Sequence, residues 1–368
     1  MTFAYNFDLT TFLDRTCQIM QVASPTFAEG ARAQLMQTMM ETAGLEDISQ
    51  DPVHNVYGRL AGGSGRPLVI SAHLDTVHSL STPLEIRKRR DEITGPGIGD
   101  NSVGLSALIE LAYILKRAPQ SLPGDVWFIA NSGEEGLGNL CGMRAVVERF
   151  GAVPVAYLVI EGMGLGQIYH RGLGIQRYRI TMRTPGGHAW SDYGTPSAIH
   201  ELVHFASTLA SIPLSSNPRT SLNVGTFHGG VSINTIASEA SIELEIRSEN
   251  PHILSELIDE IQQLAQNYRR PPVEVELRKI GERPAGSLES DHPLVALAAS
   301  IIREQGMAPV YNIASTDANV PLNLGFPSVC LGVTRGGNAH TVQEFIRIND
   351  IPTGIRQWVN LITQVWDI

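Results

Sequence analysis

Four short apolar runs constrain this chain most: residues 68–72, 126–130, 155–160 and 329–333, each rich in Val or Ile and bounded by Gly or Pro. Runs of this length that are apolar on both alternating faces read as strands buried on both sides, and a parallel sheet covered by helices provides that environment. Helical patterns lie between them. After Asp100, the apolar positions Val103, Leu105, Leu108, Leu111, Ala112 and Leu115 recur mostly at three and four residues, and Asn101 and Ser102 offer N-terminal capping chemistry. The pattern predicts a helix that starts directly after an aspartate. The predicted class is α/β, with a mostly parallel sheet flanked by helices.

A different texture occupies residues 175–280. Strand-like segments at 177–183, 221–227, 240–247 and 273–279 alternate with helical segments at 197–212 and 253–268, giving the order βαββαβ. This is the α+β ferredoxin-like split arrangement, inserted into the larger domain. The predicted organisation is one domain built from residues 1–174 and 282–368, interrupted by a second at 175–281.

Composition narrows the function. The 368 residues suffice for two domains with cores of their own, and 43% hydrophobic against 17% charged residues is ordinary for a globular chain. The formal net charge of -10 leaves no positive footprint for a phosphate backbone, and the longest basic run is Arg87-Lys88-Arg89-Arg90, so nucleic acid is not expected as a partner. Residues 1–15 lack a basic region followed by an apolar core, and no uninterrupted apolar stretch approaches the ~20 residues that span a bilayer. No membrane is expected, and the location expected is cytoplasmic. Cys17, Cys141 and Cys330 are too few and scattered for a disulfide framework or a Cys-based zinc site, so they are expected to be buried thiols.

The polar residues of interest stand just after the apolar runs. His73 and Asp75 follow the first, Glu134 and Glu135 the second, Glu161 the third, and His340 comes shortly after the last. Ligands of an open α/β sheet bind beyond the carboxyl ends of its strands, so these residues converge on one crevice if the runs are parallel strands. Asp100 adds a carboxylate in the Gly-rich segment 95–100. Two imidazoles and several carboxylates form an N/O set suited to zinc. Taken singly, a His-x-Asp pair or a Glu-Glu dipeptide usually just faces water. Their shared position at the ends of successive strands is what points to a site. Rival motifs fail: Asp100 occupies the third glycine position of a G-x-G-x-x-G pattern, and neither a P-loop nor a G-x-S-x-G elbow is present.

The segments Ser71-Ala72-His73-Leu74-Asp75-Thr76-Val77, residues 95–101, Ser132-Gly133-Glu134-Glu135-Gly136, Gly186-Gly187-His188-Ala189 and Asn338-Ala339-His340-Thr341 resemble the co-catalytic zinc peptidases and deacylases. That family includes peptidase T, carboxypeptidase G, aminoacylase and succinyl-diaminopimelate desuccinylase. The resemblance runs over nearly the whole chain in the family's order. It implies a zinc exopeptidase-like catalytic domain with an inserted lid and dimerisation domain, and two Zn2+ per subunit, for which Co2+ or Mn2+ can substitute. His73, Asp100 and Glu161 would hold one ion and Asp100, Glu135 and His340 the other, with Asp100 bridging. Glu134 would be the general base, and Asp75 would orient the His73 ring.

In the lid, the resemblance implies that His188 reaches the active site of a neighbouring subunit, and that Asn234 and Arg247 hold the substrate's carboxylate. It also implies a cis peptide bond between Asp100 and Asn101. The stretch Ser315-Thr316-Asp317-Ala318-Asn319 is similar to the peptidase T branch, where it lines the substrate region, which makes Asp317 a candidate substrate contact. Glu161, however, stands where that branch generally has Asp, as the carboxypeptidase and deacylase members do. The expected activity is hydrolysis of an amide bond in a small peptide, the alternatives being an N-acyl amino acid deacylase and a catalytically silent binding protein. The expected assembly is a homodimer through the lid.

Overall fold

All four apolar runs become strands of one nine-stranded sheet in the computed structural model, which describes residues 5–118 and 121–368. The strands Gly124–Asn131, Gly65–His73, Tyr157–Met163 and Ser328–Thr334 lie side by side in that order and run parallel. Their residues are buried almost throughout, as the lack of alternation in the runs requires. Antiparallel strands Val56–Leu60 and Glu46–Gln50 extend one edge. On the other side Gln167–Gly172 pairs antiparallel with Ser328–Thr334 and parallel with Val310–Ala314. The parallel register sets Ala72 against Ala130 and Gly332 against Glu161, so the polar residues that follow each run emerge at one end of the sheet.

The helix expected after Asp100 is Val103–Lys116, entered through a tight turn at Ile98–Ser102. Neither expected cap acts as one. The Ser102 hydroxyl donates to the Gly97 carbonyl at 2.6 Å, and the Asn101 amide donates to the Ile160 carbonyl at 2.8 Å, so both side chains tie the turn to its surroundings instead of closing the helix end. One helical segment has the length and mean hydropathy of a membrane span, although Asp100, Asn101 and Glu110 interrupt its apolar run. The segment Ile98–Lys116, 19 residues, is long and apolar enough by composition to cross a bilayer, yet 89% of its apolar window is buried. It lies between the central strands and the helices Leu9–Met20, Gly30–Ala43 and Ile351–Gln364, which accounts for its all-round hydrophobicity. The expectation drawn from residues 1–15 falls partly outside the described residues.

The chain divides into two compact units, Met1–Gly172 with Gly286–Ile368, and Leu173–Ala285. The second has a four-stranded antiparallel sheet in the order Thr220–Gly229, Glu239–Ser248, Gly174–Arg183, Glu274–Arg283, the topology of a ferredoxin-like fold. Helices Ala198–Ala210 and Pro251–Tyr268 bury Leu202, Phe205, Leu257 and Ile261 with Ile180, Ile242, Leu244 and Ile246 of the sheet. The second helix starts two residues earlier than its apolar pattern indicates, because Asn250 accepts from the backbone N–H groups of His252 and Ile253 and Pro251 takes the first turn. The opposite face carries cross-strand ion pairs, Arg179 with Glu243 at 2.6 Å and Arg183 with Glu239 and Glu276 at 2.8 and 2.9 Å. Exposed pairs of this kind contribute little stability but fix register. All three cysteines are free; Cys17 and Cys330 are buried as expected, whereas Cys141 is only half-buried.

Candidate active site

Two groups of ligating atoms meet beyond the parallel strands of the first unit. His73 Nε2 stands 3.0 Å from Asp100 Oδ1 and 3.7 Å from Glu161 Oε2, and His340 Nε2 stands 3.2 Å from Asp100 Oδ2 and 3.3 Å from Glu135 Oε1. The two carboxylate oxygens of Asp100 thus face different groups, and within each group the ligating atoms all lie within 4.8 Å of one another. His73 ends the strand Gly65–His73 and Glu161 lies within Tyr157–Met163. A Cβ on Gly162 would lie 1.8 Å from the Gly99 carbonyl oxygen, so only glycine there lets the Asp100 turn close on the Glu161 strand. The Asp100–Asn101 peptide bond is cis, as the resemblance implies.

The chemistry of these donors fits a pair of divalent cations. His73 Nε2 and Glu135 Oε1 are both buried and turned into their groups, with no partner outside them. Three carboxylates brought this close call for compensating positive charge. Protonation of the rings partly supplies it. Burial opposes a charge on His73, but Asp100, Asp75 and Glu161 outweigh it and hold the ring's pKa well above the usual value. Asp100 and Glu135 push that of His340 up to about 10. Burial likewise works against a charge on Asp100, yet His340 and His73 hold its carboxyl well below the ordinary range.

Asp75 does more than the sequence indicates. His73 Nδ1 lies 3.0 Å from the main-chain oxygen of Asp75 and 3.6 Å from its carboxylate, so the backbone makes the closer contact with the ring. The carboxylate itself accepts from the backbone N–H groups of Glu134 and Glu135, both at 2.9 Å, and from the Thr26 hydroxyl at 2.9 Å. It therefore holds the Glu134-Glu135 turn in place against the His73 strand. Gly133 enters that turn at φ 66°, where a Cβ would also meet Cys141 Sγ at 2.3 Å. Arg32, fully buried, braces the same region by donating to the carbonyls of Val22 and Leu74. Its burial lowers its pKa to about 10, against the opposing pull of Asp75.

Asp75→Asn is expected to weaken metal binding by about the 10–100-fold typical of a lost ligand-orienting partner. The carboxamide nitrogen would face one of the two N–H groups that the carboxylate now accepts from, and the turn carrying Glu135 would shift. Metal content after dialysis against a graded chelator checks this. Wild-type retention in the mutant would show that the turn needs no such anchor.

Other residues fall differently. Asp317 is fully buried and accepts from Asn131 Nδ2 at 2.7 Å, and burial raises its pKa to about 7. Its carboxyl is shielded about as closely as the side chains of the proposed ligands His73 and Glu135. In the second unit, His188 pairs with Thr235 across a short antiparallel bridge, and the Ala189 N–H donates to the Asn234 carbonyl at 2.9 Å, so His188 and Asn234 come together on exposed loops. His188 Nδ1 accepts from the backbone N–H groups of Trp190 and Ser191 at 3.2 and 3.3 Å, which leaves the proton on Nε2. Arg247 lies on a central strand with its Nε donating to Glu245 at 2.6 Å.

Sequence reasoning passed over three residues here. Glu29 and Glu344 are buried carboxylates that accept from backbone N–H groups of the site's loops. His78, five residues after His73, is half-buried with Nε2 shielded and without a hydrogen bond. Burial and the nearby His340 lower its pKa. The His73-to-His78 spacing is the only signal the sequence offered for it.

A mostly parallel sheet whose carboxyl end gathers two N/O groups around a shared aspartate is the architecture of a hydrolase built to hold two cations. The chain belongs to the peptidase family M20/M25/M40, which residues 69–364 match. Among curated relatives it is 22% identical to carboxypeptidase G2 of Pseudomonas sp. over 84% of this chain and 76% of that one. It is 23% identical to a probable carboxypeptidase of Arthroderma benhamiae over 64% of this chain and 55% of that one. The chain thus spans about half the length of the first of these curated relatives, the fungal carboxypeptidases. Its fold matches crystal structures of a tripeptidase from Staphylococcus aureus (TM-score 0.82) and the aminopeptidase PepT from Bacillus cereus (TM-score 0.78), each 21% identical and covering 98% of this chain and 99% of the other. It also matches a Bacillus subtilis protein described as a dinuclear metal binding peptidase of the M20 family, at TM-score 0.72 and 15% identity over 98% of each chain.

Proposed function

We propose that the protein is a cytoplasmic two-zinc exopeptidase that cleaves an amide bond near the end of a small peptide. The observation that carries this reading is the division of Asp100 between two ligand groups, with Glu134 held beside ligand Glu135 by the Asp75 carboxylate. His73, Asp100 and Glu161 would hold one cation, and Asp100, Glu135 and His340 the other. When bound, such a pair polarises the scissile carbonyl and acidifies an attacking water. Glu134, buried and adjacent to a ligand without belonging to either group, takes the proton from that water and delivers it to the leaving nitrogen. Asp75 is a positioning residue.

In this reading the second unit is a lid and dimerisation domain. His188, with its proton on Nε2, donates to the developing oxyanion of a neighbouring subunit's substrate, while Asn234 and Arg247 take up the substrate's carboxylate. Arg247 would then share its guanidinium between Glu245 and the ligand.

A second reading, an N-acyl amino acid deacylase, is favoured by Glu161 and by 22% identity to the succinyl-diaminopimelate desuccinylase of Legionella pneumophila over 55% of this chain. Assaying the zinc-loaded protein on unblocked dipeptides and tripeptides, C-terminal glutamyl conjugates and N-acyl amino acids decides between them. Turnover confined to the acylated compounds selects the deacylase. Stoichiometric metal with no turnover on any class would leave a silent binding protein.

A further inference from the structure

Asp100 and His340 are 240 positions apart, and the fold has to bring them to the same cation. We propose that Glu344 is the positioning residue that does so, holding the bridging aspartate and the last histidine in register as one ligand group. The inference rests on the reading of Asp100, Glu135 and His340 as ligands. Glu344 is fully buried. Its Oε1 accepts from the backbone N–H groups of Gly99 at 2.7 Å and Asp100 at 2.8 Å, and its Oε2 accepts from the backbone N–H of His340 at 3.2 Å. One carboxylate therefore spans the two loops. Its own main chain is tied in as well, the carbonyl accepting from Gly95 N–H at 2.9 Å and the N–H donating to Thr341 at 3.1 Å.

Among the described residues Glu344 forms no ion pair with Lys or Arg, and a buried carboxylate that satisfies three backbone donors is not needed for packing, since an apolar residue would fill the volume without a desolvation cost. Its use is geometric, because two oxygens on one planar group fix the distance between the loops that bind them.

The two ligand groups depend on it unequally. His73 and Glu161 lie in the hydrogen-bonded strands of the sheet, and the Asp100 turn has further ties through Asn101 to Ile160 and Ser102 to Gly97. His340 sits in a loop at φ 66° with 54% of its side chain exposed. Among the described residues the other bonds within 338–343 are local, from the Thr341 N–H and hydroxyl to Asn338 and from the Asn338 amide to Gln343, while pairing of Phe345–Arg347 with Glu92–Thr94 holds the loop at its end and not at His340. Loss of Glu344 therefore falls mainly on the group that contains His340.

The test is a Zn2+ titration of metal-depleted protein against a chromophoric chelator, with wild type, Glu344→Ala and Glu344→Gln, alongside far-UV circular dichroism and melting of each metal-free form. Wild type is expected to bind two ions. Glu344→Ala is expected to keep one site near wild-type affinity and to weaken the other by about 10–100-fold, the range for residues that orient ligands. Glu344→Gln should fall between, because its carbonyl still accepts from Gly99 and Asp100 while its amide nitrogen confronts the His340 N–H. That variant also serves if the alanine protein fails to fold. In a His340→Ala background, which lacks the second site from the start, Glu344→Gln should leave the remaining affinity unchanged. Two wild-type affinities in folded Glu344→Ala overturn the proposal. Equal weakening of both sites overturns it too, since that marks general destabilisation. Fewer than two ions on wild type refutes the ligand reading itself, independently of Glu344.

Discussion

Replacing Glu134 with Gln is expected to leave two cations bound and to cut turnover by at least the ~10²–10⁴-fold typical of lost acid/base catalysis. Glutamine keeps the shape of the side chain and can still accept a hydrogen bond from water, but it cannot take the proton. The argument turns on adjacency without ligation. Glu135 contributes Oε1 to the His340 group, whereas Glu134, one residue earlier, belongs to neither group and is nonetheless 94% shielded from solvent, with 6% of its surface exposed. A buried carboxylate beside such a group is costly unless it has work there. Because the Asp75 carboxylate binds the backbone N–H of Glu134 and not its side chain, the substitution should not disturb the turn. Metal analysis and steady-state kinetics on the same preparation check the prediction. Wild-type turnover in a metal-replete mutant would remove Glu134 from the chemistry.

What the sequence disclosed follows from what its patterns encode. The runs at 68–72, 126–130, 155–160 and 329–333 are apolar without alternation because both faces of the sheet are covered, and that exposes the class of fold and the end of each strand. His73, Asp75, Glu134, Glu135, Glu161 and His340 could be read as one N/O cluster because each follows such a run closely, and the resemblance implied which of them would ligate. Residues that act on backbone groups left no such trace. Glu344 binds N–H groups of Gly99 and Asp100, 245 and 244 positions away, and any amino acid there would present the same donors. Asn101 and Ser102 look like caps by type and place, but the turn at Ile98–Ser102 claims both side chains first. The hydrogen bond that Asp317 accepts from Asn131, 186 positions away, left no trace in the local sequence either.

Replacing His188 with Ala is expected to leave both cations bound and to lower turnover by roughly 10²–10³-fold, since an oxyanion donor is typically worth ~2.7–4 kcal/mol of barrier. The loop prepares the ring for that task. Backbone N–H groups of Trp190 and Ser191 donate to Nδ1, so the proton sits on Nε2 and the ring needs no net charge to donate it, while the His188 backbone N–H donates to Asp192 Oδ2 at 2.7 Å and fixes the loop. If the donor serves the neighbouring subunit of the proposed dimer, two inactive proteins should restore each other. A mixed dimer of His188→Ala and Glu134→Gln has one site with an intact Glu134 and an intact His188 supplied by the partner. Random exchange of an equal mixture makes about half the dimers mixed, with one working site of two, so activity should return to about a quarter of the wild-type level. Complementation by dilution and remixing, with exchange verified by mass-tagged subunits, measures this. Full exchange without recovery would place the action of His188 within its own subunit, and loss of metal from His188→Ala would show that the ring serves the cations instead of the oxyanion.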